Sequence, residues 1–241
     1  MFEQIKQKVE AEGLLIRSAF HTTPDDSMPR LDNAEPAATL LLVGNAGSAM
    51  WEAFSRSTEY LDSYPDSLDR WSERLGHRLA QAFGGTAFFP FGGPPFHPFL
   101  SWAKCAEPSE SSPLGLSLHP EYGLWHAYRF ALGLPQRLDL SQQSEGSGVV
   151  EIQSESPVSA HPCSGCDDKP CLSACPVGAF TGSEYRHVEC AQFLADNAGY
   201  ECNQLGCGSR RACPVGQDYR YKPEHAQFHM NVFVSNHARK G

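Results

Sequence analysis

Apolar residues recur at helical spacing from Ser67 to Phe83, where Leu68, Trp71, Leu75, Leu79 and Phe83 fall on one stripe. Such a stripe predicts an amphipathic helix, and Gly84-Gly85 directly after it is a stop signal. The run Thr39 to Val43 (TLLLV) is short and wholly apolar, as a strand buried on both faces is. Leu14 to Phe20 and Thr86 to Phe89 read as further strands, and residues 1–12 as a charged helix ending at Gly13. Gly44-Asn45-Ala46-Gly47 is expected to turn the chain from strand into a helix starting near Ser48. An anion at that helix N-terminus is one use of such a junction, and simple redirection of the chain is the commoner one. His21 to Pro36 and Pro90 to Pro98 are rich in turn residues and predict loops. Leu114 to Leu118 and Leu124 to Leu132 predict two elements around His119 to Gly123. From Pro135 to Pro157 apolar residues are sparse, apart from a short strand expected at Val149 to Ile152. The aromatic and His-rich stretch from Tyr219 to Gly241 is expected to pack back over the first domain.

This order of elements predicts an α+β fold, with a first domain over residues 1–158 and a smaller second one over 159–241, the boundary lying near Ala160. The chain has 241 residues, of which 41% are hydrophobic, enough for an ordinary core. No apolar run approaches the roughly 20 residues of a membrane span. A formal net charge of −9 disfavours a nucleic-acid partner, because phosphates call for a basic face.

The cysteines change the picture. Cys163, Cys166, Cys171 and Cys175 sit within one short stretch that closes on Pro176, and Cys190, Cys202, Cys207 and Cys213 follow, closing on Pro214. The first group resembles the C-x2-C-x2-C-x3-C-P run of bacterial two-cluster ferredoxins, with its middle gap widened to four residues. The second is spaced more loosely. In that run the fourth cysteine ligates the other cluster. The resemblance therefore implies two [4Fe–4S] clusters, one on Cys163, Cys166, Cys171 and Cys213 and the other on Cys190, Cys202, Cys207 and Cys175. Cys105 is left over and reads as a small buried hydrophobe. Structural zinc is the competing use of four thiolates, but it gives no reason for two Cys-Pro closures. Disulfides need an oxidising compartment, and the opening residues MFEQIKQKVEAEG lack a secretory pattern. The expected compartment is the cytoplasm.

Residues 114–132 read LGLSLHPEYGLWHAYRFAL. This resembles the cobalamin-processing chaperones of the cobalamin C type, whose mark is His-Pro-x-aromatic-Gly-x-Trp, here His119, Pro120, Tyr122, Gly123 and Trp125. The segments LLLVGNAGSAMWEAF and GHRLAQAFGGTAFFP are similar to that family in order and spacing. The second half is similar to the dicluster part of epoxyqueuosine reductase and of reductive dehalogenases. The resemblance implies a flavin-nitroreductase-like, cobalamin-binding domain followed by a dicluster ferredoxin-like domain. Its implied cofactors are cobalamin and two [4Fe–4S] clusters, and its implied partner is a redox protein that donates electrons. It also implies chemistry at cobalt, either removal of the upper axial ligand or reduction to Co(I). An apolar, aromatic pocket suits a corrin face, so Phe89 and Phe91, with His119, Tyr122, Gly123 and Trp125, are the candidate contacts. Phe88, Phe96, Phe99 and Trp102 belong to the same aromatic stretch, for which plain core packing is the alternative. His119 is a candidate for the corrin side chains or the axial position, and a hydrogen-bonded turn residue is the alternative. His126 is a weaker candidate.

The expected function is an iron–sulfur electron-transfer protein that binds cobalamin and reduces it or removes its upper ligand. Its rivals are a B12-dependent reductase of an organic substrate, a flavin-binding first domain, and a ferredoxin-like carrier without cobalamin.

Overall fold

The computed structural model of the chain describes residues 1–24, 28–94, 96–105, 110–141 and 162–238. The strand expected at Val149 to Ile152 and the boundary near Ala160 lie outside them. The fold is mixed α+β with a small antiparallel sheet. It forms two compact units. The first comprises Met1–Pro108 and Ala127–Ser156, and the second comprises Ser109–His126 and Pro157–Gly241. This differs from a single division near residue 158. The segment 109–126, which carries the His-Pro motif, belongs to the second unit.

In the first unit α1 (Phe2–Glu10) precedes β1 (Leu15–His21) and β2 (Thr39–Ala46). β1 and β2 pair antiparallel from Leu15↔Gly44 to His21↔Thr39, with a register shift at Arg17. All eight residues of β2 are buried, which accounts for its continuous apolar run. The strand runs on through Asn45 and Ala46 instead of turning at Gly44. The reason is tertiary: a Cβ at Gly44 would lie 2.0 Å from the Ala127 carbonyl oxygen, so this glycine permits a close backbone approach. The turn falls at Gly47, whose φ is +56°. The helix after it, α2 (Trp51–Ser55), has only five residues.

After the short α3 (Thr58–Leu61) comes α4 (Ser67–Phe83), which buries Leu68, Trp71, Leu75 and Leu79 along one face and is closed by Gly84 in the left-handed conformation. Its bounds match the expected amphipathic stripe. β3 (Thr86–Phe88) then pairs antiparallel with β6 (His126–Leu134), and the sheet order is β1-β2-β6-β3. α5 (Phe99–Lys104) seats Phe99 and Trp102 with Phe88, Leu40, Leu42 and Ala131 in one core.

The second unit has little sheet. β4 (Glu110–Ser111) pairs with β5 (Ser117–Leu118). The cysteine-bearing elements are short: a 3₁₀ turn at Pro162–Gly165, then α6 (Pro170–Ser173), α7 (His187–Asp196), α8 (Glu201–Leu205) and α9 (Gly208–Arg211). α10 (Pro223–His237) is anchored on α8 and α7 of the same unit. Its buried residues, His225 and Ala226, give it an inner face that these neighbours cover.

Among the described residues no helix is long and apolar enough to cross a membrane.

Candidate iron–sulfur site

The fold gathers the eight thiols into two quartets, each made of three cysteines from one sequence group and one from the other. Cys163, Cys166, Cys171 and Cys213 line a single cavity whose other walls include Leu114, Leu118, Leu124 and Val215. Cys171 and Cys213 are core residues beside those leucines. Burial pushes the Cys163 thiol above its ordinary range, and the neighbouring Cys213, Cys171 and Cys166 add to the rise. Cys171 and Cys213 are raised for the same first reason.

The second quartet comprises Cys175, Cys190, Cys202 and Cys207. Cys190 is pushed up to about 12 by burial first, then by Cys207 and Cys175, with Cys202 also contributing. Cys207 is raised by burial as well, with Cys202 and Cys175 as like-charged neighbours. Four thiols held together in a desolvated place make a poor resting state for thiolates. A bound metal would remove that cost, because a coordinating thiol is deprotonated.

Short helices explain how each thiol arrives. Pro170 occupies the first turn of α6, where its missing N–H costs nothing, and so places Cys171. Cys190 sits on α7, Cys202 on α8, and Cys207 caps α9. Backbone also lies close to the sulfurs. The Ala179 N–H donates to Cys175 Sγ at 3.3 Å, and the backbone of Val215 stands beside Cys213, and that of Ser209 and Arg210 beside Cys207. A hydrogen bond from N–H to sulfur favours the thiolate form and is a usual feature of sulfur ligands.

Among the described residues no three His, Cys, Asp or Glu side chains converge on a point that one metal ion would occupy. A cubane asks for a different arrangement, one thiolate at each of four iron corners. Cys105, on the C-terminal side of α5, donates to the Ser101 carbonyl at 3.4 Å and belongs to the first unit.

The His-Pro motif is built into the wall of the first quartet. His119 and Gly123 exchange backbone hydrogen bonds of 2.9 Å. Gly123 has φ +57°, and a Cβ there would lie 2.1 Å from the Val215 carbonyl oxygen. Gly216, with φ +71°, would in turn carry its Cβ to 2.4 Å from the Tyr122 backbone. Two glycines therefore let the motif's turn lie directly on the Cys213-Pro214-Val215 turn. The space beside Gly123 is taken by the backbone of Val215 and Gly216. His119 is 4% exposed. Its Nδ1 accepts the N–H groups of Glu121 (3.1 Å) and Tyr122 (3.2 Å), and its ring stacks on Tyr122 at 4.4 Å. Those bonds fix the tautomer with the proton on Nε2 and give His119 the turn-stabilising role. His126 Nε2 lies 3.1 Å from the Ser117 carbonyl. Trp125 is fully buried, with the Arg210 guanidinium 4.4 Å from its ring.

Of the aromatic stretch, Phe88, Phe99 and Trp102 are core residues of the first unit, which is the packing alternative. Phe89 and Phe91 are half-buried and lie 5.5 Å apart, while Phe96 is 68% exposed.

Three contributors carry no sequence signal of their own. Arg210 donates to the Leu124 carbonyl at 2.9 Å and stands between Trp125 and Tyr221, tying α9 to the motif. Tyr185 stands beside Cys190, and Arg211 beside Cys202. Arginines and a tyrosine near cysteines are too common for spacing alone to mark them.

No protein-family model matches this chain, and no curated protein matches it.

Proposed function

We propose that this protein is an electron carrier holding two [4Fe–4S] clusters, one on Cys163, Cys166, Cys171 and Cys213, the other on Cys175, Cys190, Cys202 and Cys207. The observation that carries this reading is the reciprocal exchange: each quartet takes one cysteine from the other's sequence group. A single-ion site needs no such exchange, whereas the two-cluster ferredoxin run has it as its rule. Each cluster would pass one electron at a time. The chain's own part is to hold the thiols, to keep water from the first site with Leu114, Leu118 and Leu124, and to direct the Ala179 N–H at Cys175 Sγ. A reducing compartment such as the cytoplasm suits these thiolates.

The destination of the electrons is proposed to be cobalamin. That part rests on the resemblance of HPEYGLW and its flanking segments to cobalamin-processing proteins. In the structure this motif braces the first quartet, so Phe89 and Phe91 of the first unit are the remaining candidate corrin contacts. A carrier without cobalamin accounts for the cluster geometry equally well.

Anaerobically purified protein is expected to carry about eight iron and eight sulfide per chain, as two cubanes require. Stoichiometric zinc without broad visible absorption defeats the cluster reading. Cys213→Ser is expected to lose the cluster shared with Cys163, and Cys175→Ser the one shared with Cys190, as read by paramagnetic resonance. Added cob(II)alamin is expected to shift to its base-off spectrum. No binding by calorimetry or spectroscopy removes the cobalamin part and leaves the carrier.

A further inference from the structure

Two polar side chains stand beside sulfurs of the second quartet. Arg211 on α9 lies beside Cys202, and Tyr185 lies beside Cys190. Arg211 is well fixed. Its Nη2 lies 2.6 Å from Glu201 Oε1, its Nε donates to the Gly206 carbonyl at 3.2 Å, and its side chain is only 18% exposed. Arg211 Nη2 and Cys202 Sγ flank the same small residue: a Cβ built at Gly208 would lie 3.6 Å from Cys202 Sγ and 3.9 Å from Arg211 Nη2. Glu201, on α8 beside Cys202, is 57% exposed. A full positive charge thus stands near the Cys202 sulfur, with a carboxylate behind it.

Reduction of a thiolate-bound cluster adds one negative charge. A cation near a ligand sulfur stabilises the reduced state and raises the potential, because the added negative charge is attracted to it. A carboxylate close behind offsets part of that gain, by an amount that solvent weakens. We infer that the Arg211–Glu201 pair sets the reduction potential of the cluster on Cys175, Cys190, Cys202 and Cys207, Arg211 raising it and Glu201 lowering it. Tyr185 adds a smaller rise as a neutral polar group. This inference rests on the two-cluster reading. It goes beyond it by naming residues other than cysteine that decide at what potential this cluster takes its electron.

The test is a redox titration of the full chain followed by paramagnetic resonance, with the wild type, Arg211→Gln, Glu201→Gln and Tyr185→Phe. Arg211→Gln is expected to shift this cluster to lower potential, and Glu201→Gln to shift it to higher potential by a smaller amount. Tyr185→Phe gives a small downward shift. The cluster on Cys163 stays where it was in all three. Opposite signs for Arg211→Gln and Glu201→Gln are what a merely structural role does not produce. Shifts of the same sign, or no shift, overturn the inference. Where Arg211→Gln loses the cluster, the surface variant Glu201→Gln decides alone: an upward shift supports the inference and an unchanged potential overturns it. Wild-type protein without iron defeats the two-cluster reading itself, whereas full iron content with unmoved potentials defeats only the role of the pair.

Discussion

The two units hold themselves together by different means. The first is an ordinary hydrophobic core. β2 is buried along its whole length, and Trp71, Phe54, Phe130, Leu40 and Leu41 are each under 2% exposed. Among the described residues of the second unit, Trp125 is the one that belongs to the largest fully buried side chains. One of its core clusters is three leucines closed by Cys171 and Cys213. Buried apolar area stabilises the first unit at about 25 cal/mol per Å². The second has short helices, a two-stranded sheet and thiols in its centre, so bound iron would supply stability that side chains supply elsewhere. Small units with thin cores commonly depend on such staples.

Stripping the iron with a chelator under mild oxidation tests that contrast most severely. The amides of α7 to α10 are expected to lose their protection from hydrogen exchange, while α4 and β2 keep theirs. Equal loss in both units, or loss in neither, breaks the comparison.

Glycine substitutions sharpen it. Gly84 and Gly123 both have positive φ, +69° and +57°. At Gly84 a Cβ meets nothing within 4 Å, so Gly84→Ala is expected to cost only about 1 kcal/mol, for the strained backbone. At Gly123 the Cβ would strike the Val215 backbone, and on the two-cluster proposal Cys213, two residues before Val215, would be held by its cluster. Gly123→Ala is expected to reduce iron from about eight to about four per chain, measured by iron assay, with the loss confined to the cluster on Cys163. Full iron content in that variant would show that the close approach of the two turns is not needed.

The brace around the motif also titrates. Tyr219 donates to Glu121, and that bond is the main cause that pushes its phenol up to about 12. A raised folded value means stability that is whole below the ordinary value of 10 and lost as pH rises towards 12. Glu121→Gln is expected to return the phenolate transition of Tyr219 towards 10, seen by ultraviolet titration, and to remove the alkaline loss in the second unit alone.

The smallest effect is expected in the first unit. Glu59, 8% exposed, is held below its ordinary range chiefly by its hydrogen bonds from Arg74. Its contribution is therefore present above pH 4.5 and lost as pH falls through the folded value. Because Arg74 is 46% exposed, Glu59→Gln is expected to cost no more than about 1 kcal/mol at neutral pH, measured by thermal melting. Cluster content stays unchanged. Lost iron in this variant would mean that the units are not independent in the way the comparison holds.

Periodicity and composition by themselves determined the α4 stripe from Ser67 to Phe83, its glycine stop, the buried run of β2 and the α+β class. These are local matters, where side-chain pattern and backbone freedom decide. Spacing determined that eight cysteines form two groups closed by proline. Tertiary structure alone decided three things. It placed residues 109–126 with the cysteines, because the turn at Gly123 fits only against another backbone, that of Val215 and Gly216. It continued β2 through Asn45, because Gly44 admits the neighbouring strand. It also brought Arg211 to Cys202 and Tyr185 to Cys190, contacts fixed by how short helices pack. Sequence patterns record which faces are buried and where the chain can bend. They do not record which distant segment fills the space beside a glycine or a sulfur, since that depends on packing across the whole unit.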